Sequence, residues 1–335
     1  MAANLRPQIG ATSPGMSNPT ILLLALLIDA VVGDPDSLYR AIPHPAVVFG
    51  RIIDWLDRAL NDETDRPGLR RFWGIVALVF LIGGALTIGW ILETVLWLVP
   101  LGWAIEAVLM STLIAQNGLY LHVAAVAKGL EAGGLEGGRD AVQHVVGRDP
   151  DRLDEPGVAR AALESLAENF SDAVTAPIFW ALLLGLPGIL AYKVVNTADS
   201  MIGHRSERHA QFGWATARSD DLLNYLPARI AGLALCGAAL LLPGGEARAA
   251  WEAMRRDAKR HRSPNAGWPE AAMAGALGVA LAGPRVYDGE IVDDAWMGAG
   301  GRAAATAADI RRGLRLFVIA CAAQAVFVAV AAWAL

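Results

Sequence analysis

The chain has 335 residues, of which 55% are hydrophobic and only 18% charged, and its formal net charge is −5. Soluble domains carry about 25% charged residues, so a chain this long and this apolar is expected to be embedded in a membrane. No basic stretch is interleaved with aromatic residues, which excludes the pattern typical of nucleic-acid-binding proteins.

The predicted elements begin after a leader. Residues 1–18 are rich in Pro, Gly, Ser and Asn, so we expect a disordered leader followed by one membrane-embedded domain over residues 19–335. Four segments approach the roughly 20 apolar residues that a helix needs to cross the hydrocarbon core. They are residues 72–92, 107–127, 173–192 and 316–335. Residues 19–33 and 222–245 are weaker candidates. The prediction is an all-α, polytopic helical membrane protein with about five membrane-embedded segments and polar helical loops.

The charge of the loops predicts how these segments are arranged. Lys and Arg concentrate on cytoplasmic loops, and arginines are frequent in residues 34–71, 128–172 and 196–221. Only residues 173–192 separate the last two loops, and Leu186-Pro187-Gly188 interrupts that segment. Pro and Gly in mid-segment are tolerated where the loosened backbone is buried in protein. We therefore predict a broken or re-entrant helix that leaves both loops on one face of the membrane.

Three carboxylates precede this segment. Glu164, Glu168 and Asp172 recur every four residues and would line one face of a helix. Like charges at this spacing repel each other by a few tenths of a kcal/mol, and a divalent cation such as a phosphate-bridging Mg²⁺ would offset the repulsion. The alternative is a solvated acidic face. That alternative is weakened because the helix runs directly into an apolar segment, where unpaired carboxylates are costly.

A second polar group follows the same apolar segment. Its members are Lys193, Asn196, Asp199, His204, Arg205, Arg208 and His209. Asn196 and Asp199 share a helix face, and a hairpin would bring them beside Glu168 and Asp172 around one cation. Arg205 and Arg208 could bind phosphate oxygens bidentately, although anchoring on the cytoplasmic side explains them equally well. A third small cluster comprises Asp220, Asp221 and Asn224, where Asp220 could instead cap the following helix.

Two further segments combine rigid and polar residues. His44 lies between two prolines, which fix its backbone, although a lone His is most often structural. Residues 263–270, with the sequence SPNAGWPE, place Asn265 beside Trp268, whose ring could stack against a flat ligand. A rigid turn before a helix is the simpler alternative. The sequence contains no Gly-x4-Gly-Lys-Ser/Thr motif, so a nucleotide would not be held by a P-loop.

Six of these segments together resemble the CobD/CbiB family of cobalamin biosynthesis, the membrane-bound adenosylcobinamide-phosphate synthases. The resemblance runs in order over nearly the whole chain from about residue 20. The matching segments are residues 29–35 (DAVVGDP), 43–51 (PHPAVVFGR), 164–177 (ESLAENFSDAVTAP), 192–203 (YKVVNTADSMIG), 218–229 (RSDDLLNYLPAR) and 257–277 (DAKRHRSPNAGWPEAAMAGAL). Six long matches in order are far more specific than any one short motif.

The resemblance implies an ATP-dependent amide ligation in the bacterial inner membrane, with the site on the cytoplasmic side. A carboxylate of adenosylcobyric acid would be joined to (R)-1-amino-2-propanol O-phosphate, or to the free aminopropanol, giving adenosylcobinamide phosphate or adenosylcobinamide. Phosphoryl transfer from ATP would first make an acyl phosphate, with Mg²⁺ and cationic side chains neutralising the developing charge. The partners would be this corrinoid, the amine and the lipid bilayer, and a homo-oligomer or a complex with other corrinoid enzymes is compatible with the sequence.

We assign hypothetical roles to the residues on this basis. The expected ligands of the metal–phosphate assembly are Glu164, Glu168, Asp172, Asn196 and Asp199. Lys193, Arg205 and Arg208 would bind phosphate, and His204 or Glu168 would accept the proton of the attacking amine, with Asp199 also in the catalytic group. His44, Asn265 and Trp268 would contact the corrinoid or shape its pocket.

Two alternatives come from different classes of protein. An intramembrane, Mg²⁺-dependent transferase with a diphosphate donor would also place Asp and Asn at helix ends, but it leaves the SPNAGWPE and Pro-His-Pro segments unexplained. A transporter or membrane regulator fits the broken apolar segment. Its polar site would lie near the bilayer midplane, where only Gln116, Asn117 and His122 are candidates.

Overall fold

A computed structural model describes residues 17–40, 42–145, 150–203, 206–287, 290–292 and 294–334, so most of the predicted leader lies outside the described residues. Its α-helices are α1 (Asn18–Val32), α2 (Asp36–Tyr39), α3 (Pro45–Leu60), α4 (Pro67–Trp97), α5 (Gly102–Ser111), α6 (Gln116–Val142), α7 (Glu155–Asn169), α8 (Ala176–Ile202), α9 (Trp214–Leu223), α10 (Tyr225–Ala238), α11 (Ala247–Asp257), α12 (Gly267–Leu277) and α13 (Ala307–Ala334). Short 3₁₀ turns lie at Pro150–Arg152 and Ala258–Arg260, and a π-helix joins α7 to α8 over Phe170–Thr175. The all-α prediction is confirmed.

Four helical stretches of the described chain are long and apolar enough to cross a membrane. They are Pro67–Trp97, Gly102–Val142, Glu155–Ile202 and Ala307–Ala334. Two shorter apolar helices, α1 and α10, accompany them. In α4, many large apolar side chains such as Val79, Phe80 and Trp90 point outward and are more than half exposed. Such a surface suits lipid, so the chain is a multi-pass helical membrane protein.

The predicted re-entrant segment is a helical hairpin. Gly185 inside α8 has φ 66° and ψ −150°, a backbone conformation that essentially only glycine adopts. The hydroxyl of Tyr192 donates a hydrogen bond of 2.9 Å to the main-chain oxygen of Asp172. Twenty residues of straight helix would separate these groups by about 30 Å, so the chain must fold back between them. The reversal lies one residue before Leu186-Pro187-Gly188, and Pro187 falls in the first turn of the returning arm, where its missing N–H costs nothing.

The outgoing arm after Asp172 is short, and it ends at Gly185 beside Asn18 and Glu93. Residues 173–184 rise only about 18 Å, whereas the hydrocarbon core is about 30 Å thick. Both ends of the hairpin therefore open toward the same side.

This arrangement predicts the result of labelling with a membrane-impermeant maleimide. Single cysteines at Glu155 and Arg218, both exposed, are expected to react from the same side of the membrane. A cysteine at Leu101, in the turn after α4, is expected to react from the opposite side, because the 31 residues of α4 are long enough to cross. The native Cys236 and Cys321 are buried and give little background. If the cysteines at positions 155 and 218 reacted from opposite sides of the membrane, the hairpin would be ruled out.

The predicted span over residues 107–127 lies within the apolar stretch Gly102–Val142, but its helix is not continuous. Helix α5 ends at Ser111 and α6 begins at Gln116, with an irregular turn between them. The carboxylate of Asp29 in α1 accepts hydrogen bonds from the main-chain N–H and the side-chain amide of Gln116, at 2.8 and 3.0 Å. A continuous helix has no free N–H at that point. The buried carboxylate thus stabilises a helix start that hydropathy alone does not reveal.

The described helices enclose two apolar cores. The larger lies among α1, α5, α6, α7, α10, α12 and α13, and the smaller lies among α3, α4, α8 and α9. Two small antiparallel sheets follow α12, and the sequence did not predict them. They pair β1 (Leu281–Ala282) with β4 (Trp296–Met297), and β2 (Arg285–Tyr287) with β3 (Glu290–Val292). Strand β1 packs against α7, which places the β1–β4 sheet beside the helix that carries Glu164 and Glu168.

Candidate functional site

Carboxylates from five segments lie where the hairpin opens. They are Asp34 after α1, Glu168 at the end of α7, Asp172 in the π-helix, Asp199 in α8, and Asp220 and Asp221 in α9. Lys193 interacts electrostatically with Asp34, Asp172 and Asp220. We call these seven residues the carboxylate cluster. Electrostatic interactions connect every acidic member to Asp172, Asp199 or Lys193. The hairpin thus joins the predicted acidic residues on its two arms, and the third predicted cluster adds Asp220 and Asp221. Asp34 is the further member.

The π-helix presents Asp172 at this point. The hydroxyl of Thr175 donates to the main-chain oxygen of Phe170 at 3.0 Å, and Gln324 of α13 donates to the Thr175 hydroxyl at 2.7 Å. A π-helix inserts an extra residue into the helical turn and is frequent at functional sites. Because Tyr192 also binds the main chain of Asp172, both hairpin arms and α13 fix the position of this carboxylate.

Asp220 is held in the cluster by hydrogen bonds from two amide side chains. The amide groups of Asn196 and Asn224 donate to its two carboxylate oxygens at 3.2 and 3.0 Å. Burial raises the pKa of Asp220, and the two amide hydrogen bonds oppose this rise only in part. Asn196 uses its N–H₂ group for this bond, which leaves its carbonyl oxygen as the atom that a cation could bind.

The cluster fits a magnesium ion that is bound partly through substrate. Carboxylate and amide oxygens are the ligands that Mg²⁺ prefers, and the six acidic members outnumber the single lysine. In the part of the chain that the structure describes, no group of three or more His, Cys, Asp or Glu side chains is arranged so that it could hold a metal ion. Mg²⁺ commonly needs only one or two carboxylates, because waters and substrate phosphates complete its shell. The residues therefore suit a metal that arrives with a phosphorylated substrate.

Glu164 does not join this group, which corrects its assignment as a metal ligand. It is buried, and its carboxylate accepts a hydrogen bond of 2.8 Å from the main-chain N–H of Ala282 in β1. Glu164 lies one helical turn before Glu168, as predicted. Its carboxylate, however, is hydrogen-bonded to strand β1, which the sequence did not predict. Glu168, one turn later, is exposed at the edge of the cluster.

His44 lies at the cluster through Asp34. Its Nδ1 accepts the main-chain N–H of Ala46 at 3.1 Å and so caps α3. In a neutral ring the proton then resides on Nε2, which lies 3.6 Å from a carboxylate oxygen of Asp34. The hydroxyl of Tyr39 donates to the same carboxylate oxygen at 3.0 Å. The two flanking prolines hold a histidine that orients Asp34, and its predicted contact with a corrinoid stays a prediction.

The SPNAGWPE segment contacts the other end of the cluster. The side chain of Asn265 donates to the main-chain oxygen of Asp221 at 2.8 Å. Trp268 lies beside it in the first turn of α12, and the guanidinium of Arg229 lies over its ring, 4.5 Å from the ring centroid. All six of the segments in the family resemblance therefore supply residues at or next to the cluster. The sequence did not single out Arg229, because one arginine at the start of an apolar helix is typical of membrane anchoring.

Arg208 is paired with two acidic side chains, which its predicted binding of phosphate did not anticipate. Its guanidinium makes two hydrogen bonds to Asp57, at 3.0 and 2.8 Å, and one to Glu63 at 2.7 Å. Burial alone would raise the pKa of Asp57, but hydrogen bonds from Asn61 and Arg208 and the charge of Arg208 outweigh it and lower that pKa. These bonds anchor the α8–α9 loop to α3. His204 and Arg205, in the same loop, lie outside the described residues.

Replacing Arg208 by Met is expected to lower stability and leave the affinity for substrates unchanged. The free energy of unfolding should fall by about 2 kcal/mol, because the buried Asp57 would lose its charged partner Arg208. Thermal unfolding in detergent measures this change. The matched control is Arg58→Met, whose exposed ion pair with Asp54 contributes little. A tenfold higher KM for a phosphorylated substrate at unchanged stability would instead assign Arg208 to the binding site.

Known relatives share nearly the whole length of the chain. The model of the CobD/Cbib protein family matches residues 22–317. The cobalamin biosynthesis protein CobD of a Sinorhizobium species is 52% identical over 310 residues, which cover 92% of this chain and 96% of the relative. The proteins of the same name from Rhizobium meliloti (strain 1021) and Rhodobacter capsulatus are 49% identical over 314 residues and 48% identical over 305 residues. They cover 93% and 90% of this chain, and 96% and 93% of their own lengths.

No solved structure matches the chain. The family match nonetheless spans every segment that contributes to the carboxylate cluster, from Asp34 to Asp221, and it extends past Asn265 and Trp268. The relatives match at similar identity over nearly their full lengths, so the likeness is not confined to one part of the fold. The chain therefore belongs to the CobD/CbiB family and acts in cobalamin biosynthesis.

Proposed function

We propose that this chain is an ATP-dependent ligase that forms the amide bond between adenosylcobyric acid and (R)-1-amino-2-propanol O-phosphate or aminopropanol. The observation that carries the proposal is the carboxylate cluster at the mouth of the hairpin, where the six family segments converge. Its excess of negative charge suits both Mg²⁺ and the ammonium group of the amine substrate. The family's role in cobalamin biosynthesis supports the choice of a corrinoid as the other substrate.

The chemistry proceeds in two transfers. The corrinoid carboxylate attacks the γ-phosphorus of ATP and ADP leaves, because a free carboxylate is a poor acyl donor. The amine nitrogen then attacks the acyl carbon and inorganic phosphate leaves. Mg²⁺, when bound, would neutralise charge on the phosphates. Asp172, Asp199 and Asp220, with the carbonyl oxygen of Asn196, would hold it.

The remaining residues of the cluster would orient the reactants and move the proton. Lys193 is placed to bind a phosphate oxygen once a cation has offset the surrounding carboxylates. Glu168, exposed at the edge of the cluster, would accept the proton that the ammonium loses before attack. His204 is the other candidate for this role. The cluster would face the cytoplasm of a bacterial inner membrane, where ATP is available.

A ligase assay on the full-length protein in detergent tests the proposal. The reaction contains adenosylcobyric acid, either amine, ATP and Mg²⁺, and mass spectrometry detects the product. We expect product only when both ATP and Mg²⁺ are present. No product with either amine, after membrane lipids are restored, would refute the ligase assignment.

The structure argues against the transporter alternative, whereas the diphosphate-transferase alternative needs its own assay. A transferase that uses a diphosphate donor would also use Asp and Asn at helix ends, and incubation with labelled diphosphate donors would detect it. A transporter site at the bilayer midplane is disfavoured by the hydrogen bonds of its candidates. Gln116 binds Asp29, and Asn117 donates to the main-chain oxygen of Ala30 at 3.0 Å, so both residues join α1 to α6.

A further inference from the structure

The side chain of Arg229 is held in a fixed orientation, and the proposed ligase reaction gives it no role. Its guanidinium carbon lies 3.5 Å from the ring centroid of Tyr225 and 4.5 Å from that of Trp268. One terminal nitrogen donates to the main-chain oxygen of Tyr225 and, at 3.3 Å, to the side-chain oxygen of Asn265. Two aromatic rings and two acceptors thus fix the plane of this half-buried guanidinium.

The charge of Arg229 is not compensated by an acid. Among the described residues no carboxylate lies within 4.0 Å of its guanidinium, whereas Arg208 is paired with both Asp57 and Glu63. The other N–H groups of Arg229 donate to no described residue. A fixed guanidinium with free N–H groups is the arrangement that binds phosphate oxygens in pairs.

The position of Arg229 connects it to the carboxylate cluster. Asn265 accepts a hydrogen bond from Arg229 and donates one of 2.8 Å to the main-chain oxygen of Asp221. One amide side chain therefore separates the free cation from the acidic residues. A substrate that bridges the two would place a phosphate at Arg229 and its metal-bound or cationic part at the cluster.

We propose that Arg229, held by Tyr225, Trp268 and Asn265, is an anion-binding site for a phosphate group of a ligase substrate. The inference rests on the proposed function, and it assigns a recognition residue that sequence analysis did not select. The phosphate belongs either to aminopropanol phosphate or to ATP. Trp268 then acts by stacking on the arginine, and the flat ligand expected on its ring is not required.

The test compares Arg229→Gln, Arg229→Lys and the control Arg248→Gln, which removes an exposed arginine that is paired only with Glu252. KM is measured separately for ATP, aminopropanol phosphate and free aminopropanol.

We expect Arg229→Gln to raise one phosphate-dependent KM by about 10- to 100-fold, since a charge-assisted pair of hydrogen bonds is lost. Arg229→Lys keeps the charge but loses the planar guanidinium that can donate two parallel hydrogen bonds. We therefore expect the same KM to rise by about 3- to 10-fold. A rise for ATP alone identifies the nucleotide, and a rise for aminopropanol phosphate but not for aminopropanol identifies the amine.

Direct binding separates this inference from the ligase assignment. Equilibrium dialysis with radiolabelled ATP and aminopropanol phosphate is performed on the wild-type protein and on each variant that elutes as a single folded peak. Arg229-dependent binding by a protein that shows no ligation would support the site and refute the ligase. Values of KM and Kd within twofold of wild type for both ligands, in Arg229→Lys as well as in Arg229→Gln, would overturn the site and leave the ligase assignment intact.

Discussion

Replacing Asp172 by Asn is expected to lower the rate of ligation by roughly 100-fold or more, the usual effect of removing one preorganised charged or polar group from a transition state. The substitution keeps the shape of the side chain and removes its charge from the centre of the cluster. The Mg²⁺ concentration for half-maximal activity should rise with it. Both quantities come from initial rates measured across a Mg²⁺ titration.

The matched control is Asp54→Asn. Asp54 lies on α3, is exposed, and pairs with Arg58 at 2.9 Å, so its charge contributes little. We expect its rate and its Mg²⁺ dependence to match those of the wild type. An Asp172→Asn protein with unchanged rate and unchanged Mg²⁺ dependence would remove Asp172 from the metal site.

Replacing Gly185 by Ala is expected to open the hairpin. At φ 66° and ψ −150° a side chain is strained by roughly 1–3 kcal/mol, and the added methyl would also lie 3.1 Å from Asn18 and 3.2 Å from Glu93. Any relaxation moves one arm relative to the other and separates Lys193 from Asp172. The apparent unfolding temperature should fall, and ligation should fall at least about tenfold, because catalysis depends on sub-ångström placement.

Gly83→Ala is the matched control for this substitution. Gly83 lies in α4 with regular helical geometry, and nothing stands within 4 Å of the position of an added methyl. Alanine should be neutral there or stabilise the helix by about 0.5–1 kcal/mol. Equal stability of Gly185→Ala and Gly83→Ala would contradict the role of Gly185 in the reversal.

The polar residues of the site could be predicted where their position next to an apolar segment is unusual by itself. Glu168, Asp172, Asn196 and Asp199 were selected because polar residues at the ends of an apolar segment are costly unless they serve a purpose. The same argument applies to Glu164, and the phosphate-binding geometry of guanidinium groups indicates Arg208, but both side chains have other partners. It passed over Arg229, whose value depends on two rings and an amide that come from different parts of the chain.

The sequence by itself determined the membrane class, the hairpin and most of its acidic residues, because hydropathy and helix-breaking residues are properties of short segments. Only the tertiary structure decided which of these side chains are free to bind a ligand. Glu164 is bound by Ala282, 118 residues away, and Arg208 by Asp57, 151 residues away. A hydrogen bond between such distant residues exists only after the chain has folded. The spacing of residues along the sequence does not specify such a bond. The bond nevertheless distinguishes a carboxylate or guanidinium that stabilises the fold from one that can act on a substrate.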